Sequence, residues 1–172
     1  MSRTVGMIVA VAAPGDVPYA ASGAVIGLHG QIPWRHPGDL ARFKRVTLGS
    51  AVIMGKNTWN ERKKPLPGRR NLLVSRTDVP GVETFRDIDA AVAAVEPAQA
   101  IWFIGGTRIY EDAMRVAGVI DVTYVPDRPD HPEVVRFPRI DPAMWEEGPL
   151  VPHEDEAGLV RRVYTRRSSW CL

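Results

Sequence analysis

The 172-residue chain holds one cysteine, Cys171, so no disulfide can close within it and no cysteine metal cluster can form. That scarcity fits a reducing cytoplasm. No run approaches the ~20 consecutive apolar residues that a helix needs to cross a bilayer, which argues against a membrane partner. Excess charge of one sign is also lacking: 22 Lys and Arg against 20 Asp and Glu leave a net +2, and charged residues make up 24% of the chain. Such a balance suggests neither disorder nor a general nucleic-acid surface. Internal repeats, low-complexity tracts and linkers are missing too, so residues 1–172 read as one domain, expected to be monomeric. The opening MSRTVGMIVAVAA imitates a short signal peptide. Its apolar run Val5 to Ala13, however, is strand-length and ends at Pro14-Gly15, which favours a buried first strand.

What is present is alternation. Strand-like runs fall at Val5 to Ala13, Ala51 to Met54, Arg70 to Ser75, Ala100 to Ile104, Val119 to Val125 and Leu159 to Arg166. Helical spacing falls at Pro37 to Val46, Thr58 to Arg62, Ile88 to Val95 and Arg108 to Val116. Continuous apolar runs such as AVIM, NLLV and IWFI suit strands covered on both faces, whereas LVRRVYTR alternates like an edge or antiparallel strand. The fold class expected is α/β, with a mixed, mainly parallel central sheet flanked by helices. Ala13 to Ala24 and Pro126 to Pro138, the latter with four prolines, lack periodicity and read as long surface loops.

Four segments could carry chemistry. In GLHGQIPWRHPGDLARFK, Asp39 sits among Ile32, Trp34, Leu40 and Phe43 at the opening of a helix. It is either a helix cap or a catalytic acid; desolvation by those neighbours fits a carboxyl that binds a cationic or amide-bearing ring and helps protonate it. IWFIGGTRIYEDAM runs a strand through Gly105-Gly106 into a helix, which is either a plain turn or a close backbone approach to a phosphate. VIMGKNTW repeats the arrangement, with Lys56, Asn57 and Thr58 as donors, and two such junctions could grip two ends of one dinucleotide. KKPLPGRRNLLVSR gathers basic residues that are either solvated or, at Arg69 and Arg76, bidentate anion contacts. His29 and His36 lie near Asp39, but no spacing resembles a metal site, and neither a nucleophile elbow nor a triad stands out.

IPW at Ile32 to Trp34, PGDLARFK at Pro37 to Lys44, VIMGKNTW at Val52 to Trp59, PLPGRRN at Pro65 to Asn71 and FIGGTRIY at Phe103 to Tyr110, in this order, resemble dihydrofolate reductases of the bacterial chromosomal type over nearly the whole chain. The resemblance implies NADPH-dependent reduction of 7,8-dihydrofolate to tetrahydrofolate by direct hydride transfer, with antifolate-type molecules as further ligands. It implies that Asp39 bonds the pteridine ring, Thr123 supports it and Trp34 shields the site. Ile8, Leu40, Phe43, Leu66 and Ile104 would line the ring and aryl pocket, with Lys44, Arg62 and Tyr110 also on the substrate side. Arg69 would hold the α-carboxylate of the glutamate tail. The cofactor would contact Val9, Ala10, Ile26, Gly30, Gln31, Ile32, Gly55, Lys56, Asn57, Thr58, Val74, Ser75, Arg76, Ile104, Gly105, Gly106, Thr107, Arg108 and Ile109. Lys56 and Arg76 would select the adenosine 2′-phosphate, and the Gly105–Gly106 peptide would be cis.

Departures from the family pattern stand beside the likeness. Ala13 to Ala24 resembles an insertion into the loop that closes over nicotinamide. Arg62 replaces an apolar residue against the aryl ring, Arg42 replaces a bulkier or neutral neighbour, and Thr107 replaces a third glycine. Val134 occupies what is often an acid, so the usual hydrogen bonds between that loop and the closing loop would be missing. Rival readings are another pterin or ribosylaminopyrimidine reductase on the same fold, against which the PGDLARFK pattern argues, and a nucleotide-binding module without turnover.

Overall fold

A computed structural model describes residues 2–13 and 19–168. Among them one sheet contains β1 (Val5–Ala12), β2 (Val25–Leu28), β3 (Ala51–Gly55), β4 (Arg70–Val74), β5 (Glu83–Phe85), β6 (Ile101–Phe103), β7 (Val119–Val125), β8 (Val134–Arg136), β9 (Trp145–Glu147), β10 (Val151–Pro152) and β11 (Val160–Arg166). Its main path runs β10-β11-β7-β1-β6-β3-β4-β5. From β7 to β5 every pairing is parallel, while β11 joins β7 antiparallel, so the sheet is mixed as the alternation of LVRRVYTR foretells.

Both faces of the parallel part are covered, which explains its unbroken apolar runs. Side chains alternate with the pleat. Met7, Ile53 and Phe103 enter one core with Ile109 and Tyr110, while Ile8, Val52, Met54 and Trp102 enter the other with Trp59. The helices are α1 (Pro37–Thr47), α2 (Lys56–Arg62), α3 (Ile88–Ala93) and α4 (Thr107–Ala113), each within a few residues of its expected span. No helix of the described residues is long and apolar enough to cross a membrane.

Five short strands were not legible. β2, β5, β8, β9 and β10 span two to four residues, too few to establish a period and held by their partners. The segment Pro126 to Pro138 is accordingly not all loop: β8 lies in it and pairs with β2 through Val25↔Arg136, Gly27↔Val135 and Leu28↔Val134. Within the Ala13 to Ala24 stretch, residues 14–18 fall outside the described residues. Tyr19, just beyond them, meets Tyr124 edge-on at 5.6 Å. Cys171 also falls outside them.

Candidate functional site

β3 and β6 are neighbours in the sheet, and each leads through glycine into a helix. The Gly55 N–H donates to the Gly105 carbonyl at 2.8 Å, fastening the two junctions side by side. The Gly105–Gly106 peptide is cis. Gly105 adopts φ +114°, and a Cβ there would meet the Tyr110 ring at 3.3 Å and the Thr58 hydroxyl at 3.5 Å, so a side chain would be strained and crowded at once. Neither α2 nor α4 carries a side-chain cap.

A cleft of about 850 Å³ runs from these junctions to α1, within the size range of small-molecule sites. Its basic half is walled by Gly55 to Thr58, Val74 to Arg76 and Gly105 to Ile109, with Ile26, Gly30, Gln31 and Ile32 opposite. Lys56, Arg76 and Arg108 have no hydrogen-bond or ion-pair partner among the described residues, which leaves this half rich in free donors. The other half is walled by Ile8, Val9, Ala10, Leu40, Phe43 and Ile104, with Asp39, Arg62, Tyr110 and Thr123 among them. Leu40 and Ile32 are 48% and 45% exposed, apolar surface left open where a flat ring could cover it.

Four expected site residues are not on this wall. Trp34 packs with Ala12, Val25, Val125 and Leu159, Leu66 packs beneath the second core, and Lys44 faces solvent. Arg69 donates to the Pro67 carbonyl at 2.9 Å and the Thr47 hydroxyl at 3.1 Å. Burial and the nearby Arg62 guanidinium hold it below its ordinary pKa. Arg62 itself lies 5.4 Å over the Phe43 ring, is lowered by burial, and its Nε finds no partner. Two under-neutralised guanidiniums therefore stand together at this end. Sequence reasoning missed Gly27, Glu61, Thr77, Arg86, Asp87, Asp112 and Val135 on the wall. Asp87 is recognisable as the α3 cap, accepting from the Ala90 amide.

Asp39 sits in the first turn of α1 but does not cap it. The cap comes from the far end of the chain, where Glu156 Oε2 accepts from the Gly38 amide at 2.8 Å and the Asp39 amide at 3.2 Å, an arrangement worth about 1 kcal/mol. The Asp39 side chain, 19% exposed, is thus free for other work. Its Oδ1 accepts from the Thr123 hydroxyl at 2.8 Å and lies 3.0 Å from Nε2 of His153, whose side chain is 0% exposed. His153 Nδ1 accepts from the Asp155 amide at 3.0 Å, so the imidazole proton resides on Nε2, which donates to Asp39. Oδ2 has no protein partner among the described residues.

The loop 153–156 is itself anchored on α1. Arg42, buried, holds both oxygens of Asp121 at 3.0 and 2.7 Å and Glu154 at 2.7 Å. Arg161 shares Asp121 at 3.1 and 3.2 Å. Burial pushes the Glu154 carboxyl up, but a backbone amide and the Arg42 and Arg161 guanidiniums outweigh it and bring it down to about 2. A Cβ on Gly38 would stand 2.4 Å from the Asp155 carbonyl oxygen, so only glycine permits the loop to dock here. Near the cleft mouth, the Leu28–Gln31 turn is closed by reciprocal backbone bonds of 2.8 and 3.0 Å.

The closing-loop contacts expected to be missing beside Val134 involve a stretch of which residues 14–18 lie outside the described residues. Val134 itself is held in the backbone ladder of β2 and β8, and next to it His29 binds Glu133 at 2.8 Å in an exposed pair. Together with His131 these two bring ligand-capable atoms within 4.8 Å of one another, a cross-strand grouping that spacing along the chain does not reveal. Thr107, in place of a third glycine, donates its hydroxyl to the Arg136 carbonyl at 2.9 Å.

The molecule is thus an α/β fold in which one cleft joins a glycine-rich, basic half to an apolar half in which the Asp39 carboxylate is anchored. Comparison narrows the class. The dihydrofolate reductase family model matches residues 8–165, and the chain belongs to that family. It is 39% identical over 135 residues to the dihydrofolate reductase of Neisseria meningitidis serogroup A, covering 76% of this chain and 82% of that one. It is 41% identical over 107 residues to that of Mycobacterium leprae, covering 59% of this chain and spanning 65% of the relative's length. Dihydrofolate reductase from Enterococcus faecalis, solved with NADP(H) and RAB-propyl, superposes with a TM-score of 0.78 at 22% identity, covering 95% of this chain and 96% of that one, a likeness of fold.

Proposed function

We propose that this protein reduces 7,8-dihydrofolate to tetrahydrofolate with NADPH. The observation that carries the reading is the joined cleft, which sets one anchored carboxylate in an apolar half against a half lined with free cationic and backbone donors. The donor set fits the cofactor. Lys56 and Arg76 are unpaired among the described residues and would face a 2′-phosphate, and Gly105 and Gly106 leave the backbone bare for close approach to a pyrophosphate. Bound NADPH supplies the hydride.

The protein's own part is position and electrostatics. Asp39 presents Oδ2 to the N–H groups of the pteridine and favours proton uptake at the ring nitrogen beside the carbon that receives hydride. Leu40, Phe43 and Ile32 cover the ring and exclude water. Arg62 and Arg69 meet the carboxylates of the glutamate tail, which would neutralise two guanidiniums that burial has left short of counter-charge. Antifolate-type molecules would enter the same half. We propose further that the protein acts as a monomer in the cytoplasm without nucleic-acid or membrane partners, a reading that the single cysteine and the balance of 22 Lys and Arg against 20 Asp and Glu fit.

The test follows NADPH oxidation by near-ultraviolet absorbance with and without dihydrofolate, alongside Asp39→Asn. Oxidation that requires dihydrofolate and is lost in the variant is expected. Tight NADPH binding with no turnover on dihydrofolate would overturn the reading and turn attention to other pteridines.

A further inference from the structure

We infer that His153 is a positioning residue for this reduction: by donating from Nε2 to Asp39 Oδ1 beside Thr123, it commits that oxygen to the protein and leaves Oδ2 to the substrate. The inference rests on the function proposed above and deepens it.

Three observations converge. The imidazole is 0% exposed and aimed at the Asp39 carboxylate on the cleft wall. Its tautomer is dictated from behind, because Nδ1 is occupied by the Asp155 amide at 3.0 Å. The carbonyl of Leu159 also accepts from the His153 amide at 3.0 Å, closing the loop on itself. The loop that carries His153 grips the helix that carries Asp39, through Glu156 on the Gly38 and Asp39 amides and through Glu154 on Arg42. Backbone and side chain of Asp39 are therefore held by one four-residue stretch more than a hundred residues away along the chain.

A carboxylate with one oxygen engaged by two donors cannot rotate about its terminal bond without breaking both. Oδ2 then meets the ring at a fixed angle, and the geometry needed for proton uptake at the adjacent nitrogen is set before substrate arrives. A substrate is selected for presenting its strongest donor to that one oxygen. Loss of the His153 donor leaves Thr123 alone, frees the carboxylate to turn, and costs rate more than binding.

The test uses the full chain with His153→Phe, which keeps a ring but has no donor, and His153→Gln, which restores an N–H. For Phe, kcat is expected to fall about ten- to a hundredfold, the loss typical of one charge-assisted hydrogen bond. The dihydrofolate KM should change by less than the fall in kcat and NADPH affinity should be unchanged. Gln should recover most of the rate. Equal kcat in Phe and wild type would overturn the inference, as would parallel losses in both variants together with NADPH affinity. A second measurement needs no variant: nitrogen NMR of histidine-labelled wild type should show one histidine as the Nε2–H tautomer, its signal moving when folate binds. An Nδ1–H tautomer there would overturn it even if no variant folds. Failure of wild type to oxidise NADPH with dihydrofolate would instead defeat the function proposed above, and the NMR result would still judge the His153–Asp39 contact.

Discussion

The two halves of the cleft are built by different means. The basic half is made of backbone: strands end in glycine, helices begin, and Gly55 and Gly105 bond each other directly. The apolar half is made of side chains, and its Asp39 carboxylate is held by groups from β7 and from the loop before β11. A backbone site tolerates change in the side chains around it, whereas a side-chain site depends on every partner in the chain of contacts.

That contrast is sharpest at Asp39. Asp39→Asn should cut kcat/KM for dihydrofolate on the order of 10²- to 10⁴-fold, the span for loss of a positioned acid–base group, with NADPH affinity intact by fluorescence titration. Equal losses in both would break the division into halves.

Next in size is the support network. Asp121→Ala leaves Arg42 buried with Glu154 as its remaining acidic contact, and should destabilise the fold by about 3–5 kcal/mol in urea unfolding. Gly38→Ala places a methyl against the Asp155 carbonyl and should cost about 1–3 kcal/mol. It should also lower kcat, because the loop carrying His153 must shift. A Gly38→Ala protein with wild-type stability and rate would show that the loop does not depend on this close approach.

In the basic half, single changes should be milder. Arg76→Ala should raise the NADPH KM about tenfold, about 1.4 kcal/mol, with little change for NADH. Parallel losses for both cofactors would place Arg76 elsewhere than at the 2′-phosphate.

The smallest effect concerns His36, set between Asp127 at 2.6 Å and Glu156 at 3.0 Å. Burial opposes its charge, but the two carboxylates outweigh that and raise its pKa above the ordinary 6.5. A raised folded pKa means the added stability is fully present below the unfolded value and fades as pH rises through the folded one. The stability difference between wild type and His36→Gln, under about 1 kcal/mol after solvent screening, should therefore shrink between mildly acidic and alkaline pH in thermal melts.

The same contrast governs what a reader of the sequence can see. Both glycine junctions were legible because strand, glycine and helix follow one another within a dozen residues, and AVIM and IWFI announced a sheet covered on both faces. Asp39 was visible as an acid among apolar neighbours, but whether it capped or reacted could not be decided locally. Glu156, which does the capping, lies 117 residues further on. His153 carried no signal, since nothing in VPHEDEAG marks a residue bound for a helix that ended a hundred positions earlier. Arg42 looked like a departure from pattern and is the buried partner of Asp121, a pairing that only the crossing of α1 over β7 creates.

The loop at 153–156 also sets an order on synthesis. When the ribosome has delivered the chain as far as Val125, every strand of the parallel sheet and both glycine junctions exist, but the first turn of α1 lacks its cap and Asp39 lacks its histidine. A chain arrested before Pro152 could gather a dinucleotide-shaped half-cleft and still hold its acid by Thr123 alone. Docking of the last hairpin adds the second donor to Asp39 and the cap to α1 in one event, so the anchoring of Asp39 reports on whether that hairpin is in place.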